Sequence, residues 1–382
     1  VSIFNGETTE HKFNAFGIFY AEISLPPVFI LFHLVSFSWL EVFMASTAII
    51  KTLKLSTPWQ TSDPFLFCVH HLDHYPKGNG NMGPSLSLEG RQLGSDFSGK
   101  SGFSMYHGFT VPGFPVHPHR GFETVTLGRR GFIDHFDSLG GYGRFGDGDT
   151  QWMTAGKGVQ HSEMFPLVHT EKENPTELFQ VWLNLPQKNK LVHPEYKMFW
   201  HEDIPVISCF DCHQRLTQID LIAGQYGEIK ALPPTKASWA ADPENEVSIW
   251  TIQMASNAIW DLPAGSSHLN RCLYFYAGIG LKIDDQLVPV NHRIDLISDQ
   301  KVTLVNSGNT VVEILLLQGR PINEPVVQHG PFVMNTEKEI YQAVADYRKT
   351  NFGGWPWPSS APVNPQKTDR FSDDGQGNKE VK

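Results

Sequence analysis

The stretch HPHRGFETVTL, residues 117–127, decides the fold together with GFIDHFD (131–137) and TQWMTA (150–155). Its core, FETVTL, is a short β-branched and aromatic run of the kind that forms strands, and so are the two that follow. Between them lie Ser138-Leu139-Gly140-Gly141-Tyr142-Gly143 and Gly146-Asp147-Gly148-Asp149, which carry turn chemistry. Working outward, LFQVWLNL (178–185) reads as another strand, and residues 186–203 as a polar connection with at most one short helix. A second set then follows: RLTQIDLIAG (215–224), VSIWTIQM (247–254), CLYFYAG (272–278), KVTLVNS (301–307) and TVVEILLLQG (310–319). Many short strands with so few helices predict an all-β chain, a sandwich or barrel repeated twice. One helix closes it. Thr336-Glu337-Lys338-Glu339 is a capping box, and Ile340, Ala343, Val344 and Tyr347 share a face.

The chain has 382 residues and a formal charge of −10, from 30 basic and 40 acidic side chains. Without a basic run it does not bind nucleic acid directly through phosphates. The 40% hydrophobic content supports a buried core, while Gly 33 and Pro 26 exclude a coiled coil. Cys68, Cys209, Cys212 and Cys272 are too few for a disulfide scaffold and favour a reducing compartment. Residues 1–43 differ from the rest and read as a leader, a targeting or anchoring segment, or an extra packed element. Only such an anchor would bring the chain to a membrane. The chain thus divides into 1–43, a first domain 44–185, a second 186–350 and a Pro-rich, then polar tail 351–382, draped or disordered.

The chemistry concentrates in His117 to Glu123, answered by His161-Ser162-Glu163. On a strand, alternate side chains face one way, so His117 pairs with His119 and His161 with Glu163. Adjacent strands of a small barrel would aim three imidazoles and one carboxylate at one interior point. Such a set suits iron, copper, nickel or zinc and leaves positions open for substrate and dioxygen. Yet in a chain with 17 histidines an HxH triplet arises by chance on the order of 0.7 times. On composition and spacing alone, a metal site and ordinary surface or core histidines both stay open.

HPHRGFETVT, DSLGGYGRFGDGDTQWMTAGKGVQHSEM (137–164), LLLQGRPINEPVVQHGPFVMNTEKEI (315–340) and FGGWPWP (352–358) resemble the pirin family of bicupins. The resemblance runs from about Asp63 to about Phe352. It implies two cupin-type antiparallel β-barrels with a C-terminal helix, and a mononuclear metal in the first barrel. The family's ligands fall on His117, His119, His161 and Glu163. The implied metal is Fe(II), with Mn, Ni, Cu or Zn accepting the same donors. Glu123, an even number of residues from His119, is expected on the inward face, as a hydrogen-bond partner behind a ligand ahead of direct ligation. The implied activity is quercetin 2,3-dioxygenase-type cleavage of a flavonol, with Glu163 as base and a small aromatic substrate and dioxygen as partners. The alternative is an iron-dependent transcriptional co-regulator or redox-sensing protein that contacts a protein partner. A monomer in the cytoplasm, or also the nucleus, is expected.

Several features depart from that pattern or compete with it. Gly128-Arg129-Arg130 and the Gly/Ser-rich insertion between Tyr75 and Tyr106, read as poorly ordered, are expected to reshape the pocket mouth. In the second barrel, His268 and Asn270 stand where the HPH pair would be, with no matching carboxylate, so that barrel is expected to be metal-free. Cys209-Phe210-Asp211-Cys212-His213 spells the haem-attachment pattern CxxCH, read here as a solvent-side thiol pair. His70, His71 and His74 are read as structural or pocket-edge residues, and Phe122 and Phe165 as core aromatics able to flank a flat substrate.

Overall fold

Strands Phe122–Arg130 and Asn174–Asn184 lie side by side and are covered on both faces. This explains why LFQVWLNL is apolar almost throughout: Phe179, Val181 and Leu183 pack into one core, while Leu178, Gln180 and Trp182 face a cavity. The computed structural model that shows this describes residues 47–382. The leader expected over 1–43 lies outside them.

Each barrel is two sheets. In the first, one sheet runs Glu195–Phe199, Thr150–Thr154, Phe122–Arg130, Asn174–Asn184, Phe65–Tyr75, Trp59–Gln60. The facing sheet runs Lys379–Val381, Phe371–Asp373, Tyr142–Gly146, Phe132–Asp137, Val159–Met164, Gly113–His119. The second barrel has a seven-stranded sheet facing a four-stranded one around Trp260, Leu262, Leu273, Phe275 and Leu304. The large sheets of the two barrels pack back to back, with Val125, Leu127, Val181 and Leu183 against Ile249, Tyr274, Leu315 and Leu317. Each such fully buried side chain contributes roughly 1.5–3 kcal/mol.

The strands expected from sequence are present, with ends moved by a few residues. Four expectations change. The strand Ile49–Lys54, assigned to the first domain, is hydrogen-bonded to His292–Leu296 in the second barrel. The connection 186–203 is not merely polar: Glu195–Phe199 pairs with Thr150–Thr154 and extends the first barrel's sheet. The insertion 75–106 is packed, because Phe103, Met105, Leu88 and Leu93 bury against Tyr75 and Leu167. Arg91 binds Asp96 at 2.7 Å and the Phe103 carbonyl at 3.0 Å. Those apolar residues follow no period, so the Gly/Ser content hid them. Arg129 does not shape the pocket mouth but crosses to the second barrel, donating to Thr251 Oγ1 at 2.8 Å and pairing with Glu313 at 3.4 Å.

The capped helix forms as Glu337–Thr350, with both hydrogen bonds of the capping box. Its apolar face lies on Phe332 and Met334. Arg120 of the first barrel reaches Asp346 at 2.7 Å, and Tyr347 donates to Gln160 at 2.9 Å. The chain after the second barrel therefore returns to the first. Among the described residues no helix is long and apolar enough to cross a membrane.

The tail is draped, and one buried guanidinium anchors its middle. Arg144 is held by Asp134 at 2.7 and 2.8 Å and donates to the carbonyls of Asn364, Pro365, Gln366 and Thr368. Phe371–Asp373 then adds a strand beside Tyr142–Gly146. Arg144→Met should strand Asp134 as a buried charge and cost about 3–5 kcal/mol. Urea unfolding would measure that loss, and limited proteolysis should cut first between 364 and 373. Unchanged stability would mean that the tail's position does not depend on Arg144.

Candidate metal centre

His117 and His161 face each other directly, because Gly113–His119 and Val159–Met164 pair in antiparallel register with His117 opposite His161. His119 completes the group, and one nitrogen from each ring lies within 4.8 Å of the others. Glu163 follows on the same strand, its Oε2 3.8 Å from His161 Nε2. All four side chains are inside the barrel. Burial pushes His117 down to about 4 and His119 and His161 well below the usual histidine range, so the rings are neutral and their lone pairs free. Burial raises Glu163 above the ordinary carboxylate range.

Unmet hydrogen bonding is what makes the site a candidate. Neither ring nitrogen of His119 or of His161 has a hydrogen-bond partner, although all four are buried. A buried polar atom without a partner costs about 1–3 kcal/mol. His117 Nδ1 lies 2.9 Å from the Pro115 carbonyl, which orients the ring and leaves Nε2 for another partner. Three converging neutral imidazoles beside a carboxylate fit a divalent transition metal.

Supporting residues come from the inward faces of other strands. Gln180 donates to Glu163 Oε2 at 2.8 Å, and Thr126 to Oε1 at 3.3 Å. His135, opposite Glu163 in register, lies with its ring centroid 5.6 Å from that of His161 and its Nε2 3.2 Å from Asp137. Sequence reasoning missed all three. Gln180 had left a signal, since it is the one amide between apolar neighbours in FQVWL.

Glu123 requires a correction. It does not face the histidines: its carboxylate accepts from Trp152 Nε1, Thr154, Thr235 and Ser238, at 3.2, 2.7, 3.0 and 2.6 Å. Even spacing from His119 misleads because the chain turns at Gly121, with φ +84°, and restarts the alternation. Glu123 thus shares a face with Val125 and Leu127, toward the other barrel.

The remaining residues fall at the edges. Phe165 lines the cavity, whereas Phe122 is core, stacked on Trp182 at 3.9 Å. His71 meets Tyr106 edge-on at 4.7 Å, and His70 Nε2 lies 3.0 Å from Glu177. His268 is exposed in a turn, and Asn270 donates to the Asp63 carbonyl. Cys209 is half-buried beside Tyr226, and Cys212 is exposed. His117, His119 and Glu163 line a cavity of about 1010 Å³ walled by Phe67, Phe114, Phe165 and Trp182.

Two β-barrels packed back to back, one with histidines converging on its cavity, define a double-barrel cupin. The Pirin family profile matches residues 86–183, and that of the Pirin C-terminal cupin domain matches 249–353. The chain belongs to the pirin family. It is 35% identical to the pirin-like protein of Solanum lycopersicum over 258 residues, 64% of this chain and 80% of that one. With pirin of Homo sapiens it shares 34% over 260 residues, covering 66% and 81%. A crystal structure of quercetin 2,3-dioxygenase from Acinetobacter baumannii superposes with TM-score 0.63 at 25% identity, covering 81% of this chain and 99% of that one.

The native chain should carry close to one metal, read by plasma emission analysis, and His161→Ala and Glu163→Ala should each lose it while retaining the fold. Gln180→Leu should weaken metal affinity by about tenfold. Full metal content in both alanine variants would exclude these residues as ligands.

Glu123 generates a pH prediction. Burial pushes its carboxyl up to about 7, from 4.5, despite four donors. The folded state therefore holds this proton more tightly than the unfolded chain does. Its contribution is complete below about pH 4.5 and is lost as pH rises through about 7, amounting to about 3 kcal/mol. Urea unfolding from pH 4.5 to 8 should show a decline that flattens in Glu123→Gln. Parallel curves for the two proteins would contradict it.

Proposed function

We propose that this chain is a metal-dependent dioxygenase that cleaves a flavonol in the manner of quercetin 2,3-dioxygenase, with His117, His119, His161 and Glu163 holding Fe(II). The observation that carries the reading is the convergence of three imidazoles, with the ring nitrogens of His119 and His161 buried and unpartnered, beside an aromatic-walled cavity of about 1010 Å³ that His117, His119 and Glu163 line. That space is in the range of small-molecule sites and admits a flat three-ring ligand. Manganese, nickel, copper and zinc accept the same donors, and the choice of iron rests on the family resemblance. The solved structure at 25% identity carries the quercetin 2,3-dioxygenase name, which supports the same substrate class.

A bound metal would supply an acidic centre that makes the flavonol hydroxyl easier to deprotonate and a meeting point for dioxygen. The protein's own residues do the rest. Glu163 is placed beside His161 to take the hydroxyl proton, and Gln180 and Thr126 each donate to one of its two oxygens. Phe114 and Phe165 line the same space as His117 and His119 and offer it apolar surface. In the overall reaction one flavonol and one dioxygen give one carboxylic ester and one carbon monoxide.

The experiment is turnover of quercetin under air by the iron-loaded chain, followed by loss of flavonol absorbance and release of carbon monoxide. Equimolar loss and release are expected. Glu163→Gln should slow turnover by at least about 100-fold. An iron-loaded chain that leaves quercetin intact would sink the enzyme reading and favour an iron-dependent contact with a protein partner.

A further inference from the structure

The cavity has a second polar end. Asp73, buried on the Phe65–Tyr75 strand, accepts the Ser104 backbone N–H at 2.8 Å on Oδ1 and the Tyr106 hydroxyl at 2.7 Å on Oδ2. Both side chains line the same cavity as His117, His119 and Glu163. Tyr106 ends the Gly/Ser-rich segment that begins after Tyr75, and its backbone is unusual. Its φ is +55°, which a bulky side chain rarely adopts. Two backbone hydrogen bonds to Asp96, each 2.8 Å, hold it there, and Asp96 is fixed in turn by Arg91. Strained backbone persists where its surroundings over-determine it, and such places cluster at ligand sites.

The rings continue this line toward the histidines. Tyr106 stacks on Phe114, with centroids 5.1 Å apart and planes at 26°, and Phe114 meets His117 at 6.4 Å. Phe97, also from the insertion, stands edge-on to Tyr106 and is 56% exposed. A flat ligand lying along these rings would have one end at the histidines and the other at Asp73. The chemistry of that far end is one-sided. With its hydrogen given to Asp73, the Tyr106 oxygen offers only lone pairs, and the carboxylate offers only lone pairs too.

We propose that Asp73 and Tyr106 form a binding subsite that selects planar aromatic ligands carrying a hydroxyl on the ring remote from the histidines. It rests on the flavonol reading only for what occupies the near end. A ring without that donor would leave the two oxygens desolvated and unpaired, and binding would weaken accordingly. The insertion thereby sets substrate preference, while the histidines are left unchanged.

The test uses flavone and an analogue with one hydroxyl at the tip of its pendant ring. Both lack the hydroxyl beside the carbonyl through which a flavonol would reach a metal, so their difference reads the far end alone. Each is titrated without oxygen into the metal-loaded full chain and followed by tryptophan fluorescence. The hydroxylated compound should bind about tenfold more tightly. Tyr106→Phe, which keeps the ring, and Asp73→Asn, which keeps the shape, should each shrink that ratio to about threefold or less. Circular dichroism and metal content check that both variants fold. Equal affinities in the native chain, no saturable binding of either compound, or a ratio kept in both folded variants would overturn the subsite. Selective binding without quercetin turnover would remove the dioxygenase reading and leave the subsite standing. Turnover with equal affinities would do the reverse.

Discussion

The structure depends on a pair of strands that must satisfy two environments at once. Phe122–Arg130 and Asn174–Asn184 are the wall between the candidate site and the other barrel. Because side chains alternate, every second residue is committed to the inter-barrel core and the rest to the cavity. Val125 and Val181 serve one face, while Thr126 and Gln180 serve the other. A one-residue slip would exchange the faces, putting valines at the carboxylate of Glu163 and an amide into a dry core. Register in this wall is therefore strongly fixed. The two polar residues that support Glu163 inherit that precision from the apolar residues beside them.

The turn at Arg120-Gly121 sets where the alternation begins again. A Cβ at Gly121 would fall 2.0 Å from the Val333 carbonyl, so only glycine fits at this crossing. Lys190, buried and pushed down to about 8 by desolvation, donates to the carbonyls of Gly121 and Val333 and to Asn184. One ammonium thus ties the turn after His119 to the end of the Asn174–Asn184 strand and to the C-terminal hairpin. Three acceptors offset the loss of water around it. Distant segments meet here, which is why the C-terminal part of the chain belongs spatially with the first barrel.

Strand existence was legible in the sequence because β-branched and aromatic runs were bounded by Gly and Asp, and the histidines' common direction followed from period two. What was not legible lay beyond the reach of local pattern. Glu123 was misdirected by counting through Gly121, whose backbone breaks the period. His135 and Gln180 join the site through pairing between strands far apart in sequence, and no single run announces such pairing. The insertion looked unordered because its core residues are few and irregular, while Arg91 and Asp96 supply through ion pairing what periodic packing would otherwise have shown.

The second barrel explains how the first can stay open. Ile259–Leu262 and Val302–Asn306 pair antiparallel, as Gly113–His119 and Val159–Met164 do in the first. Yet Trp260, Leu262, Val302 and Leu304 fill its interior where the first barrel turns imidazoles and a carboxylate inward. A barrel holding a cavity of about 1010 Å³ forgoes much of the apolar contact that would stabilise it. A large part of its apolar surface lies on the outer face of its large sheet, and that face is buried against the filled barrel behind it. One barrel can therefore keep buried polar groups free for a ligand because the other, packed against it, uses its interior for stability.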